Sequence, residues 1–196
     1  MPKKIILLLV GFIYMVVIVI GSTFFVADSF DFAADTLIKN KEVHKGLGFS
    51  EIATDLNPFE PSYLKTRAHL LLYASALDRE MSAVYKNSAV DSLELAIELN
   101  PSNLATLRNT LPVYFYLAVT DLTQPITAKN LDYRYLDLFA KKSGILTSYV
   151  PDDLGVLVTT ANYYSRLGMT DSYNEVITKI KHLRPDVLDW HPLLVR

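Results

Sequence analysis

The side chains able to do chemistry are few and scattered along the chain. Histidine occurs four times, at His44, His69, His182 and His191. No two stand four residues apart on one helix face. No HExxH pattern or tight grouping with Asp or Glu supplies the convergent ligands that a metal ion needs. The acidic pair Asp152–Asp153 precedes an apolar run, a place where carboxylates cap a helix and complement its dipole rather than work as general acid and base. The nucleophile elbow GxSxG, the P-loop and the GxGxxG fingerprint are absent. Cysteine is absent too, which excludes thiol catalysis, a disulfide framework and cysteine-built zinc sites. These residues point to a non-catalytic chain that needs no cofactor and no metal. A formal charge of −2 gives no basic field that would attract nucleic acid.

Aromatic rings are denser than titratable groups. Tyr114, Phe115, Tyr116, Tyr133, Tyr135, Tyr163 and Tyr164 crowd the second half of the chain. Such rings either line a groove, stacking on sugar or holding a peptide, or fill the space between helices. Tyr114 and Tyr164 fall where core packing is expected. Tyr116, Tyr133 and Tyr135 leave both readings open.

The first positioning element is apolar. Ile5 to Val26 contains 22 residues and no charge. As a helix it rises about 33 Å, enough for a hydrocarbon core of about 30 Å. A soluble core helix would carry a polar stripe, and this run has none. Lys3 and Lys4 precede it, which predicts a cytoplasmic N-terminus and an extracytoplasmic remainder. The run exceeds the usual 7–15 residues of a cleaved signal's apolar region, so an uncleaved signal anchor is expected. Beyond Val26 the chain carries 17 basic against 21 acidic residues, a solubilising balance. Lys39, Lys41 and Lys45 read as a solvated face.

The remaining elements read as helices punctuated by proline. Leu56-Asn57-Pro58, Leu99-Asn100-Pro101, Tyr149-Val150-Pro151 and Leu183-Arg184-Pro185 each close a helical segment, with prolines 43, 50 and 34 residues apart. Ser62, Asn103 and Asp152 or Asp153 are the expected helix starts after the first three. Ala89, Leu93, Ala96 and Ile97 make one apolar stripe; Leu157, Ala161 and Tyr164 make another; Tyr173, Ile177 and Ile180 make a third. Gly168 lies between the last two as a helix stop. No run shows sustained strand alternation.

Residues 152–185 thus form a 34-residue helix–turn–helix unit that resembles a tetratricopeptide (TPR) repeat. Leu157 takes the first large contact of its first helix, Ala161 the small residue, Tyr164 the aromatic, Gly168 the turn and Pro185 the terminal proline. Tyr173 and Ile180 stand where the family prefers alanine. Looser units precede it. Leu64, Ala68 and Leu71 pair with Ala89, Leu93 and Ala96 in a unit nine residues over the period, with the excess expected between Leu77 and Lys86. Leu107, Leu111 and Tyr114 open a unit sixteen residues over, in which Pro112 is expected to kink the first helix.

The resemblance implies an all-α fold: an N-terminal transmembrane helix, residues 1–26, followed by a TPR-like α-solenoid of three to four hairpins. Residues 27–57 form a degenerate leading pair or connector, 58–185 the repeats, and 186–196 a C-terminal cap built on Trp190, Leu193 and Leu194. In TPR chaperone adaptors, basic residues and asparagine on successive first helices clamp a peptide carboxylate. The corresponding positions here are Lys65 and His69, then Arg108, Asn109 and Pro112, then Val158, Thr159 and Asn162. The third set lacks a cation, so the clamp is incomplete. The expected partner groove is Lys65, His69, Arg108, Asn109, Phe115 and Asn162. A span followed by Thr54-Asp55-Leu56-Asn57-Pro58-Phe59-Glu60-Pro61-Ser62-Tyr63 and a TPR-like helix also resembles the C-terminal tail of bacterial O-antigen ligase/polymerase-like membrane proteins. The expectation is therefore a membrane-anchored scaffold of the bacterial cell envelope that binds another protein or peptide. The alternative is an accessory subunit of envelope polysaccharide polymerisation or ligation, contacting the glycan or its glycan-polymerising membrane protein.

Overall fold

Residues 3–39 form one helix that passes through two different environments. In the computed structural model, which describes residues 3–191, α1 runs unbroken over Lys3–Lys39. Its first part is the charge-free run, and none of that apolar window is buried by the rest of the chain. It is the one helix among the described residues long and apolar enough to cross a membrane. Its last part is amphipathic: Ala27, Ala34 and Leu37 are buried, at spacings of seven and three. The helix therefore does not end with its hydropathy at Val26; it carries on for 13 residues into the folded part.

All the regular structure among the described residues is helical, apart from one isolated antiparallel bridge between Val119 and Leu131. The chain divides into two compact units, Met1–Leu99 and Asn100–Arg196. The segment 58–185 is accordingly shared between them.

In the first unit, α2 (Val43–Leu56) follows α1 through a tight turn in which Lys41 adopts φ 63°. The hairpin is antiparallel. Ala27 shares a cluster with Ala53 and Tyr63, while Ala34 shares one with Val43, Leu70 and Ala74. The Phe30 and Phe49 rings meet at 5.5 Å between them. Next, α3 (Pro61–Leu77) and α4 (Ser82–Leu99) form a second hairpin, and α2 packs on α3. Proline at the first position of α3 suits its missing N–H. Glu60, rather than Ser62, is the cap: its carboxylate accepts from the Ser62 amide at 3.1 Å and hydroxyl at 2.8 Å. The α3–α4 connection is short and held by Asp78, whose Oδ1 accepts from the Glu80 and Met81 amides. Seven of the nine extra residues lie in longer helices, 17 and 18 residues against 14 in each helix of the 152–185 hairpin, and the other two lie in the expected connection, 78–81 against 168–169.

In the second unit, α5 (Leu104–Leu117) and α6 (Tyr133–Tyr149) pair, as do α7 (Leu154–Leu167) and α8 (Thr170–Leu183), and α6 packs on α7. Asn103 and Asp153 cap α5 and α7, accepting from the Thr106 and Val156 amides. Helix α5 continues through Pro112. The carbonyl that loses its intrahelical partner belongs to Arg108, an exposed residue, where water can satisfy it. Thirteen of this unit's sixteen extra residues sit in the 118–132 connection, and the other three lengthen α6. In that connection the Asn130 side chain receives the Asp121 amide and donates to the carbonyls of Asp121 and Pro125.

Gly168 ends α7 at φ 71°, the left-handed conformation that a side chain disfavours. Leu157, Ala161, Tyr164 and Ile180 are buried. The buried line of α8 is Val176 and Ile180, with Tyr173 and Ile177 half-buried beside it. A short α9 (Val187–Trp190) packs on α8 through buried Val187. The Trp190 side chain, Leu193 and Leu194, assigned above to the cap, lie outside the described residues.

Two glycines on α2 give a direct test of the first unit. A Cβ at Gly46 would stand 2.7 Å from Leu70 Cδ2 and 3.4 Å from both the Ala34 carbonyl oxygen and Leu37 Cβ; at Gly48 it would meet nothing within 4 Å. Leu70 is fully buried and cannot swing away. Gly46→Val should destabilise the protein by roughly 1–3 kcal/mol through overpacking. Gly48→Ala should stabilise it by about 0.5–1 kcal/mol through helix propensity. Thermal unfolding followed by circular dichroism in detergent checks both signs.

Candidate functional site

The expected groove residues divide between the two units. Lys65 and His69 are one turn apart on α3 and both are half-buried. They face α1, which sequence spacing alone did not bring into the site. Asp28, Asp31 and Asp35 recur on α1 at intervals of three and four, one face of a helix. The Tyr63 hydroxyl donates to Asp28. Burial pushes the Tyr63 phenol above its ordinary value, and the Asp28 carboxylate adds to the rise. Lys65 lies within electrostatic reach of Asp31, whose Oδ1 is buried with no hydrogen-bond partner among the described residues. Asp35 holds Lys39 at 2.7 Å. For His69, burial lowers the imidazole pKa from its ordinary 6.5, Lys65 lowers it further, and Asp35 opposes them. Lys65 and His69 thus form part of a polar seam between α1 and α3.

The other candidates belong to the second unit. Arg108 and Asn109 are exposed on α5, and Asn162 is half-buried on α7. Phe115 requires a correction. It is fully buried and so offers no ring to a partner. Its ring lies 4.7 Å from Tyr163, 4.9 Å from Tyr116 and 6.3 Å from Phe139, and the Arg166 guanidinium stands 4.6 Å above it. Apolar periodicity in α5 foretold burial of Leu107, Leu111 and Tyr114; Phe115 follows Tyr114 by one residue and is buried because α6 and α7 both approach that side.

The aromatic cluster is cohesive. Phe139 meets Tyr163 and Tyr164 edge-on at 5.9 Å each, a preferred geometry for ring quadrupoles. Tyr164 Oη and Ser143 Oγ share a hydrogen bond of 2.8 Å. Burial raises the pKa of Tyr163 and Tyr164; Arg166 counters it for the first and the Ser143 hydrogen bond for the second. Tyr114 and Tyr135 are buried, whereas Tyr116 and Tyr133 keep 39% and 62% of their surface exposed.

Beside this cluster a cleft of about 350 Å³ is lined by Ile126, Leu131, Tyr133, Leu136, Arg166 and Met169. A second, of about 290 Å³, lies between α6, α7 and α8 beside the Glu175–Lys179 pair. Among the described residues no three His, Cys, Asp or Glu converge as metal ligands. The first cleft can accommodate an apolar or ring-bearing group against Tyr133, with Arg166 as a hydrogen-bond donor for an acceptor on the same ligand. No protein-family model matches the chain, and no curated protein matches it.

The seam on α3 yields a pH prediction. The folded His69 binds its proton less tightly than the unfolded one. Between the ordinary 6.5 and the depressed folded value the unfolded chain therefore holds more protons, and stability falls as pH drops through that window. Urea unfolding at about pH 7.5 and about pH 5.5 should show a larger loss for the native chain than for His69→Gln, which removes the titration. Equal losses would contradict this role for His69.

Proposed function

We propose that this protein is a single-span, non-catalytic scaffold whose TPR-like α-solenoid docks another protein or peptide at the outer face of a bacterial inner membrane. The observation that carries the reading is α1: a charge-free run of 22 residues left bare by the fold continues without a break into the stripe on which the first hairpins pack. Bare apolar surface of that length is the surface that lipid covers. The order of helices supports the TPR-like reading, with α3–α4, α5–α6 and α7–α8 as successive hairpins and α7–α8 closest to the family spacing. Lys3 and Lys4 support a cytoplasmic N-terminus. Arg108, Asn109 and Asn162 are the polar contacts proposed for the partner, and Lys65 and His69 contribute through the seam.

A second reading is an accessory subunit of envelope polysaccharide polymerisation or ligation. It draws on Tyr133, exposed in a cleft next to Arg166, the pairing of ring face and donor that sugars use.

The cysteine-free chain makes orientation testable. One cysteine replaces Ser102, an exposed residue, and in a separate variant one replaces Lys4. A membrane-impermeant maleimide applied to intact cells should label position 102 and leave position 4 unlabelled until the membrane is opened. The reverse pattern overturns the orientation. Crosslinking in membranes then separates the partners: capture of a multi-span glycosyl-transferring protein selects the accessory role, and capture of other envelope proteins selects the general scaffold.

A further inference from the structure

Among the described residues the most exposed large aromatic outside α1 is Phe59, at 77%, in the turn joining α2 to α3. The register of the first hairpin places that turn. Ala53 packs at the level of Ala27, and α2 runs antiparallel to α1, so each later residue of α2 steps back toward the apolar run. Leu56 and Asn57 are three and four residues past Ala53, about 5–6 Å along the axis. They therefore reach the level of Phe24 and Thr23, just inside the point where the charge-free run ends at Val26. The Tyr63 hydroxyl bond to Asp28 ties the start of α3 to α1 about one turn past that level.

We propose that the 57–60 turn is a second membrane contact, with the Phe59 ring seated at the boundary between headgroups and acyl chains of a zwitterionic bilayer beside α1. The proposal rests on the reading of α1 as a membrane span. The turn is preset for this role. The Phe59 amide donates to Asn57 Oδ1 at 3.4 Å, and Glu60 is held back as the cap of α3, so the ring is free to point outward while the backbone is fixed. Ile52 on α2 and Phe25 on α1 are also exposed, at 40% and 72%.

The charge pattern selects the lipid. Between Val26 and Lys39, and again between Lys45 and Lys65, the sequence holds no Lys or Arg; it holds Asp28, Asp31, Asp35, Glu51, Asp55 and Glu60. Carboxylates at this end repel anionic headgroups and complement the ammonium groups of zwitterionic ones. A second contact beside the span would set the tilt and rotation of the first unit against the bilayer, which a lone helix leaves free.

Depth-dependent fluorescence tests this on the full chain. Trp190, the only tryptophan, is first replaced by phenylalanine, and a single indole is then placed by Phe59→Trp or by Phe25→Trp. Each variant is reconstituted in phosphatidylcholine vesicles carrying bromines at a shallow acyl position, with helical circular dichroism as the folding control. The proposal expects a blue-shifted emission and loss of intensity to bromine at both positions. If position 25 is quenched while position 59 emits as in water and yields to aqueous acrylamide, the span stands and the turn contact is overturned. If position 59 is blue-shifted yet reached by neither quencher, a protein surface covers it and the lipid contact is equally overturned. If neither position is quenched by bromine, the span fails and the proposal with it. Replacing part of the lipid by phosphatidylglycerol should weaken bromine quenching at position 59 and leave position 25 unchanged; stronger quenching at 59 would overturn the choice of a zwitterionic surface.

Discussion

Every backbone N–H and C=O of a segment in hydrocarbon must find its partner within the segment, and in the proposed arrangement that constraint governs α1. A helix meets it; a break at the bilayer surface would leave up to four carbonyls and four amides to be satisfied there. The chain keeps the ladder running through the boundary instead. Even the hydroxyls near it turn inward, Thr23 donating to the Val19 carbonyl at 2.9 Å and Ser29 to the Phe25 carbonyl at 2.8 Å. In the proposed arrangement the first hairpins then assemble on a post already fixed by the lipid, and no flexible linker separates membrane from fold.

The first unit follows from that post. Ala27 and Ala34 are small, so α2 and α3 come close to α1, and Gly46 allows Leu70 to come closer still. Along the other edge of the α1–α3 contact the chemistry is polar: Asp28, Asp31 and Asp35 on one side, Tyr63, Lys65 and His69 on the other. A partly buried seam with an unpartnered carboxylate oxygen specifies register more than it adds stability. The second unit is stabilised differently. Its centre is a set of rings, Phe115, Phe139, Tyr163 and Tyr164, covered on one side by Arg166 and closed by the Ser143–Tyr164 hydrogen bond.

Much of this was legible in the sequence where a local rule decides the outcome. Asn103 and Asp153 cap helices because their side chains reach an amide in the first turn, and Gly168 stops one because only glycine takes its φ without strain. The buried lines Leu64–Ala68–Leu71, Ala89–Leu93–Ala96 and Leu157–Ala161–Tyr164 follow from helical period. What escaped depends on distant partners. The continuation of α1 was hidden by the charge at Asp28, although Ala27, Phe30, Ala34 and Leu37 already repeat at helical spacing. The acidic face opposite Lys65 and His69 could have been found from the spacing of the three aspartates. The burial of Phe115 could not, because it depends on where α6 and α7 arrive.

The central claim is that one rigid helix joins the apolar run to the folded part, and electron paramagnetic resonance tests it most directly. Spin labels on cysteines replacing Val17 and Lys39, which lie on nearly the same face of α1, are 22 residues apart, about 33 Å along an unbroken helix. In lipid vesicles the continuous post predicts a narrow distance distribution near that value. A broad distribution centred at shorter distances would mean that the helix breaks at the membrane surface, contradicting the account.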